Sequence, residues 1–133
     1  GNFREIDVED LTKHRMDSEQ MIASQKLVDT VNHAKDIDKQ VCAVGTSVLR
    51  GIATAVSMGG HMKTYDGWTN KFIFPPYDFT VATALVSNFH MPYSTMLMMV
   101  SAFGGYDIVK KAYEVAVKEG YRFGAYGDSM LLI

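Results

Sequence analysis

Residues 40–56 read QVCAVGTSVLRGIATAV, and a change of period inside this stretch sets the fold class. Gln40 to Gly45 is a short, apolar, β-branched run of the kind that forms a buried strand. From Val48 onward the spacing becomes helical: Val48, Leu49, Ile52, Ala53 and Val56 fall on one apolar face. Between the two lies Gly45-Thr46-Ser47, where Thr46 or Ser47 is expected to cap the helix. A strand that turns tightly into an amphipathic helix is a unit of α/β architecture.

The same alternation extends on both sides. Upstream, Phe3 to Asp10 reads as an edge strand or lead-in, and His14 to Ala23 permits a strand. Ser24 then caps a helix carrying Leu27, Val28, Val31 and Ala34 at helical spacing. Downstream, Gly59-Gly60 ends the second helix and HMKTYDGWTN (61–70) reads as a loop. KFIF (71–74) is expected to be a strand halted by Pro75-Pro76, because proline has no N–H for a ladder. Short β-prone pieces follow at 79–81 and 84–86. Ser94-Thr95 caps a helix that is apolar all round and stops at Gly104-Gly105. Ile108 to Lys118 forms the last helix, and a final strand lies at 121–123 or 129–133. The expectation is an α/β fold with a largely parallel sheet, or an open barrel-like arrangement, with flanking helices.

Composition sets the outer limits. At 133 residues the chain holds one domain with a sizeable core, and 47% hydrophobic with 21% charged residues is ordinary for a globular protein. No apolar run reaches the ~18 residues of a membrane span and no signal peptide opens the chain, so no membrane association is expected. The net charge of -2 neither announces nor excludes nucleic acid, since phosphate affinity depends on a local patch. Lys110, Lys111, Lys118 and Arg122 gather near the end, but acidic neighbours dilute them into a solvated helix face. The single Cys42 supports neither an internal disulfide nor a cysteine zinc site, and a cytoplasmic location is expected. Four scattered histidines give no metal-ligand spacing, so no metal is expected. The methionines of the apolar helix, Met96, Met98 and Met99, read as core packing.

In α/β folds ligands gather where strands exit into loops. Three exits can be read: Val44-Gly45-Thr46-Ser47, Phe74-Pro75-Pro76-Tyr77-Asp78 and Ser87-Asn88-Phe89-His90. At the first, glycine permits close backbone approach and the first-turn N–H groups attract an anion or polar ligand, although on these residues alone a plain cap is the favoured reading. Arg50, one turn later, either adds a charge-assisted contact or faces solvent. His14 to Glu19 concentrates titratable groups; it is either an exposed charged strand or a place where His14 and Glu19 move protons or hold a hydroxyl. Tyr121, Phe123 and Tyr126 can stack on a base and Asp128 can accept from an amine or hydroxyl, or Tyr126-Gly127-Asp128 is an ordinary turn.

The ordered series HRMDSE, AVGTSVLR, GWTNKFIFPPYDF, NFHMPYSTMLMMVSAF and YRFGAYGDSMLLI resembles the carboxyl-terminal part of the S-adenosylmethionine:tRNA ribosyltransferase-isomerases of queuosine biosynthesis. The likeness covers nearly the whole chain, and its NFH-x-P-x-ST and YRF-x-x-YGD blocks are specific. It implies a reaction: the ribosyl part of S-adenosylmethionine is transferred to an aminomethyl-deazaguanine at the wobble position of tRNA. Isomerisation then gives an epoxycyclopentanediol, with release of adenine and methionine. It implies S-adenosylmethionine and tRNA as substrates. On the matching positions, His90 and His14 are the expected proton-transfer groups and Glu19 a base or ribose-hydroxyl contact. Asn88 and Arg50 are expected to position substrate, together with Gly45, Thr46, Tyr77, Arg122 and Asp128.

Some positions depart from that pattern. Asp17 stands where the family usually has a second His, and Pro76 replaces the Gly of a P-G-Y turn. Members of the family are more than twice as long, with an amino-terminal portion and an inserted β-rich domain. Residues 1–133 are therefore expected to be a piece of the α/β catalytic domain, inactive alone, with Gly1 a cloning remnant. The alternative is a non-catalytic nucleotide- or tRNA-binding module of the same fold.

Overall fold

The strand–turn–helix unit forms, with β2 at Cys42–Val44 and α2 at Thr46–Thr54, but the helix ends before Gly59-Gly60 and Val56 lies beyond it in a bridge to Met62. The structure, a computed structural model, describes residues 17–92 and 94–133. The expected lead-in at 3–10 and His14 lie outside the described residues. Ahead of this unit come β1 (Glu19–Ala23) and α1 (Gln25–Asp36); after it come β3 (Tyr65–Thr69), β4 (Ala84–Asn88), α3 (Thr95–Gly104), α4 (Tyr106–Lys118) and β5 (Ser129–Leu132).

Local chemistry fixes most helix starts. The Ser24 hydroxyl accepts from Leu27 N–H at 3.2 Å, and the Ser94 hydroxyl accepts from Leu97 N–H at 3.1 Å. Neither Thr46 nor Ser47 caps α2. The cap position belongs to Gly45 at φ 100, and no side chain bonds there. Gly45 N–H donates to the Val86 carbonyl at 2.8 Å, which bends the chain through a conformation open to glycine, and the helix begins at once. Gly105, at φ 91, both ends α3 and opens α4, so the last helix starts at Tyr106 rather than Ile108.

The architecture is α/β, with mixed strand pairing. β2 and β4 are parallel, with Val44 opposite Val86. β5 joins the other side of β4 antiparallel, with Asn88 opposite Ser129, giving the order β2-β4-β5. A separate antiparallel pair joins β1 to β3, with Glu19 opposite Thr69. The expectation of largely parallel pairing holds only at β2–β4.

The 61–74 region departs from the sequence reading. Tyr65–Thr69, expected as loop, is a strand, while KFIF and the 79–81 piece are not. Pairing with β1 overrides the poor strand propensity of Asp66 and Gly67. Ile73 is fully buried without belonging to a ladder.

The core runs from the sheet into the helices. Ala43 of β2, Leu49 of α2, Leu85 of β4, and Met99 and Val100 of α3 are fully buried together with Ile73. Met99 packs in this core as expected, whereas Met96 and Met98 are half-buried. Helix α2 thus packs between the three-stranded sheet and β1, with polar residues at both of its flanks.

Candidate active site at the exits of β2 and β4

Parallel pairing of β2 with β4 sets their carboxyl ends side by side. Gly45 and Thr46 leave β2 next to Val86 and Ser87 of β4, tied by the Gly45–Val86 hydrogen bond. Thr46, 6% exposed, is the first residue of α2, and the turn carries no side-chain cap. The N–H groups of its first turn thus have no capping side chain, an arrangement suited to a polar or anionic group.

One turn along α2, Arg50 is 1% exposed, so it does not face solvent. It closes an ion pair with Glu19, whose side chain is 19% exposed, at the start of β1. Burial draws the guanidinium below its usual pKa, and it remains a cation at neutral pH. Glu19, Met21, Ile22, Val48, Arg50 and Ile52 line a cavity of about 300 Å³. An apolar wall with a buried ion pair at its edge suits a ligand that combines apolar and charged parts.

The exit of β4 holds a second polar group. Ser87, 2% exposed, places its Oγ 2.8 Å from His90 Nε2. His90 N–H donates to Tyr113 Oη at 3.0 Å. Burial pushes the His90 imidazole below its ordinary pKa, so the ring is neutral at pH 7 and able to accept a proton. Burial also raises the Tyr113 phenol, an effect larger than the opposing one of the His90 N–H bond.

Asn88 turns towards the last loop. Its Nδ2 donates to the Asp128 carbonyl and Ser129 Oγ at 3.2 Å each, and to the Gly127 carbonyl at 3.4 Å. The Asp128 carboxylate accepts from Arg122 N–H at 2.7 Å, and Gly124 N–H donates to the Phe89 carbonyl at 2.9 Å. These bonds clasp 121–128 against the end of β4. The Phe89 ring packs against Tyr121, Phe123 and Tyr113, so two of the aromatics expected to stack on a base are used inside the protein. Tyr126 is fully exposed. The Arg122 and Asp128 residues lie on the surface of this loop.

The third expected exit is absent, because 71–74 is not a strand. Tyr77 packs at a tilt against Phe79, ring centroids 4.8 Å apart, and lines a recess of about 150 Å³ with Ile52 and Ala53 of α2 and Val56 beyond its end. The structure therefore gives two groups, Gly45, Thr46, Arg50 and Glu19 on and against α2, and Asn88 and His90 at the end of β4, linked through the Gly45–Val86 hydrogen bond. Tyr77 sits apart, and His14 lies outside the described residues. Ser87 and Tyr113 carry no signal of their own in the sequence: Ser87 is only the first residue of an exit, and Tyr113 lies within the last helix. Among the described residues no helix is long and apolar enough to cross a membrane, and no group of His, Cys, Asp or Glu could hold a metal ion.

An α/β domain with a half-buried histidine and an ion-paired arginine near two adjoining strand exits has groups suited to a polar ligand. The family model described as "Queuosine biosynthesis protein" matches residues 1–132, and the chain belongs to that family. A curated relative from Bacteroides fragilis, named S-adenosylmethionine:tRNA ribosyltransferase-isomerase, is 69% identical over 133 residues, covering 100% of this chain and 38% of its own length. A relative of the same name from Chloroherpeton thalassium is 46% identical over 99% of this chain. The crystal structure of S-adenosylmethionine tRNA ribosyltransferase from Thermotoga maritima superposes with a TM-score of 0.79 at 39% identity, over 84% of this chain and 39% of that one. The chain thus spans under two fifths of the length of the curated relatives it matches.

Proposed function

We propose that this chain supplies the carboxyl-terminal part of the catalytic domain of an S-adenosylmethionine:tRNA ribosyltransferase-isomerase acting in queuosine biosynthesis. In that role the ribosyl part of S-adenosylmethionine passes to an aminomethyl-deazaguanine in tRNA and isomerises to the epoxycyclopentanediol, with loss of adenine and methionine. The chemistry requires a proton to leave the carbon beside the sulfonium, adenine to depart and the aminomethyl nitrogen to attack. A neutral, half-buried base and a water-poor setting serve the first of these steps.

The observation that carries this reading is His90, half-buried just past the end of β4 with its ring on Ser87 Oγ and its backbone N–H on Tyr113, where burial lowers its pKa. His90 is the proton acceptor in this scheme, and His14 is assigned a second proton-transfer role on sequence grounds. Arg50 and Glu19 act as a pair at the edge of the apolar cavity, with Arg50 orienting an anionic or polar part of a substrate and Glu19 a hydroxyl. Thr46 supplies a backbone N–H group, and Gly45 supplies the tight turn that sets it at the strand exit. Asn88 acts chiefly by holding the 121–128 loop, which presents Arg122, Tyr126 and Asp128 to the tRNA. Tyr77 is a peripheral contact. S-adenosylmethionine enters as a substrate, and the reaction is placed in the cytoplasm, where tRNA is modified.

The test uses a protein of the relatives' full length that carries this segment, given S-adenosylmethionine and aminomethyl-deazaguanine tRNA. Adenine release that falls by roughly 100-fold or more in His90→Ala supports the scheme. tRNA binding without adenine release in the unaltered protein would support a binding module in its place.

A further inference from the structure

Ser87 Oγ lies 2.8 Å from His90 Nε2 and 2.9 Å from the Asn88 carbonyl oxygen, and Ser87 is 2% exposed. A serine hydroxyl carries one hydrogen, and a carbonyl oxygen only accepts. If the hydroxyl gave its hydrogen to Nε2, the two oxygens would face each other at 2.9 Å with no hydrogen between them, which is repulsive. One arrangement bridges both short contacts with a hydrogen: Nε2–H donates to Oγ, and Oγ–H donates to the carbonyl. Its direction is set by the carbonyl, the one member of the chain that cannot donate.

The backbone leaves that carbonyl in place to receive the bond. On β4, Val86 directs its carbonyl to Gly45 N–H on the β2 side, while Phe89 N–H bonds the Asp128 carbonyl on the β5 side. By the alternation of a strand, the Asn88 carbonyl falls on the β2 side, beyond the point where the chain of β2 has turned into α2. The His90 backbone is fixed independently through Tyr113 Oη, and Phe89 is packed at 5.3 Å from both the Tyr113 and Phe123 rings.

We propose that Ser87 is a positioning residue that holds His90 as the Nε2–H tautomer and so makes Nδ1 the nitrogen that accepts a proton. The catalytic half of this statement rests on the reading of His90 given above; the tautomer does not. In the reaction, the proton beside the sulfonium moves to Nδ1 while the electron pair of the broken C–H bond stays on the substrate carbon. The imidazolium formed keeps its Nε2–H on Ser87, so no second proton needs to move.

Long-range ¹⁵N–¹H correlation spectra of the labelled chain at about pH 8, above the ordinary histidine pKa, report the tautomer of each ring. The His90 signals are identified by their loss in His90→Gln. Expected is a protonated Nε2 with an unprotonated Nδ1, changing to a mixture of tautomers in Ser87→Ala. In the full-length protein, Ser87→Ala is expected to lower kcat by roughly 10- to 100-fold with a smaller change in KM. A protonated Nδ1 in the unaltered chain, or the same single tautomer in Ser87→Ala, would overturn the hydrogen-bond chain. Unchanged turnover in His90→Ala with the expected tautomer would remove the catalytic role and leave the chain standing.

Discussion

Arg50, on α2, and Glu19, at the first position of β1, form an ion pair whose cation is 1% and whose anion is 19% exposed. It joins a helix of the three-stranded unit to the separate β1–β3 pair, across 31 residues of sequence. The pair is thus both part of the candidate site and a tie between two sheets.

The asymmetry in exposure predicts an asymmetry in cost. Glu19→Ala weakens the compensation of a deeply buried cation, and a loss on the order of 3 kcal/mol is expected. Arg50→Met leaves a carboxylate that already touches water and is replaced by an apolar chain of similar length, so its cost is expected to be smaller. Urea denaturation of both single variants and the double variant checks this. Equal costs would overturn the asymmetry, and strict additivity of the two would rule out the coupling.

His90 gives the fold a pH dependence. Its folded pKa lies below the ordinary 6.5 because burial disfavours the charged ring. Between those two values the unfolded chain binds more protons than the folded one. The contribution is therefore fully present above the ordinary value and is lost as pH falls below it. Denaturation midpoints measured from about pH 8 down to 5 are expected to fall less steeply in His90→Gln than in the unaltered protein.

The clasp on the last loop is the third test. Removing the Asn88 amide takes away bonds to Gly127, Asp128 and Ser129, and Asn88→Ala is expected to cost about 1–3 kcal/mol. Hydrogen exchange at the Gly124 and Asp128 amides should speed up while that of the β2–β4 pair stays slow. Gly127→Ala should have the same effect by another route, since a Cβ there would run into the Arg122 carbonyl.

Thr95 offers a prediction of opposite sign. Its Oγ1 is buried with no hydrogen-bond partner among the described residues, and the residue is 1% exposed. Thr95→Val removes an unsatisfied hydroxyl at constant shape and is expected to raise stability by about 1 kcal/mol, read as a higher Tm. A lower Tm would mean that the hydroxyl has a partner in solution.

The sequence by itself determined those features that arise within a few residues. The Ser24 and Ser94 caps, Leu49 and Ile52 on the buried face of α2, the strand pieces at 42–44 and 84–86 and the Gly104-Gly105 stop, though not the end of α2 at Thr54 ahead of Gly59-Gly60, were legible because propensity, capping and periodicity act locally. So were the family blocks, and with them His90, Arg50 and Glu19 as candidates. Tertiary structure decided what depends on distant partners. Tyr65–Thr69 is a strand because Glu19–Ala23 lies beside it, and KFIF is not one because burial of Ile73 is achieved without a ladder. The Arg50–Glu19 pair, the turn of Asn88 towards the last loop and the Ser87–His90 bond likewise follow from which segments meet. Residue order does not encode those meetings locally: they come from burial and strand pairing summed over the whole chain, and they decide which candidate residues lie near one another.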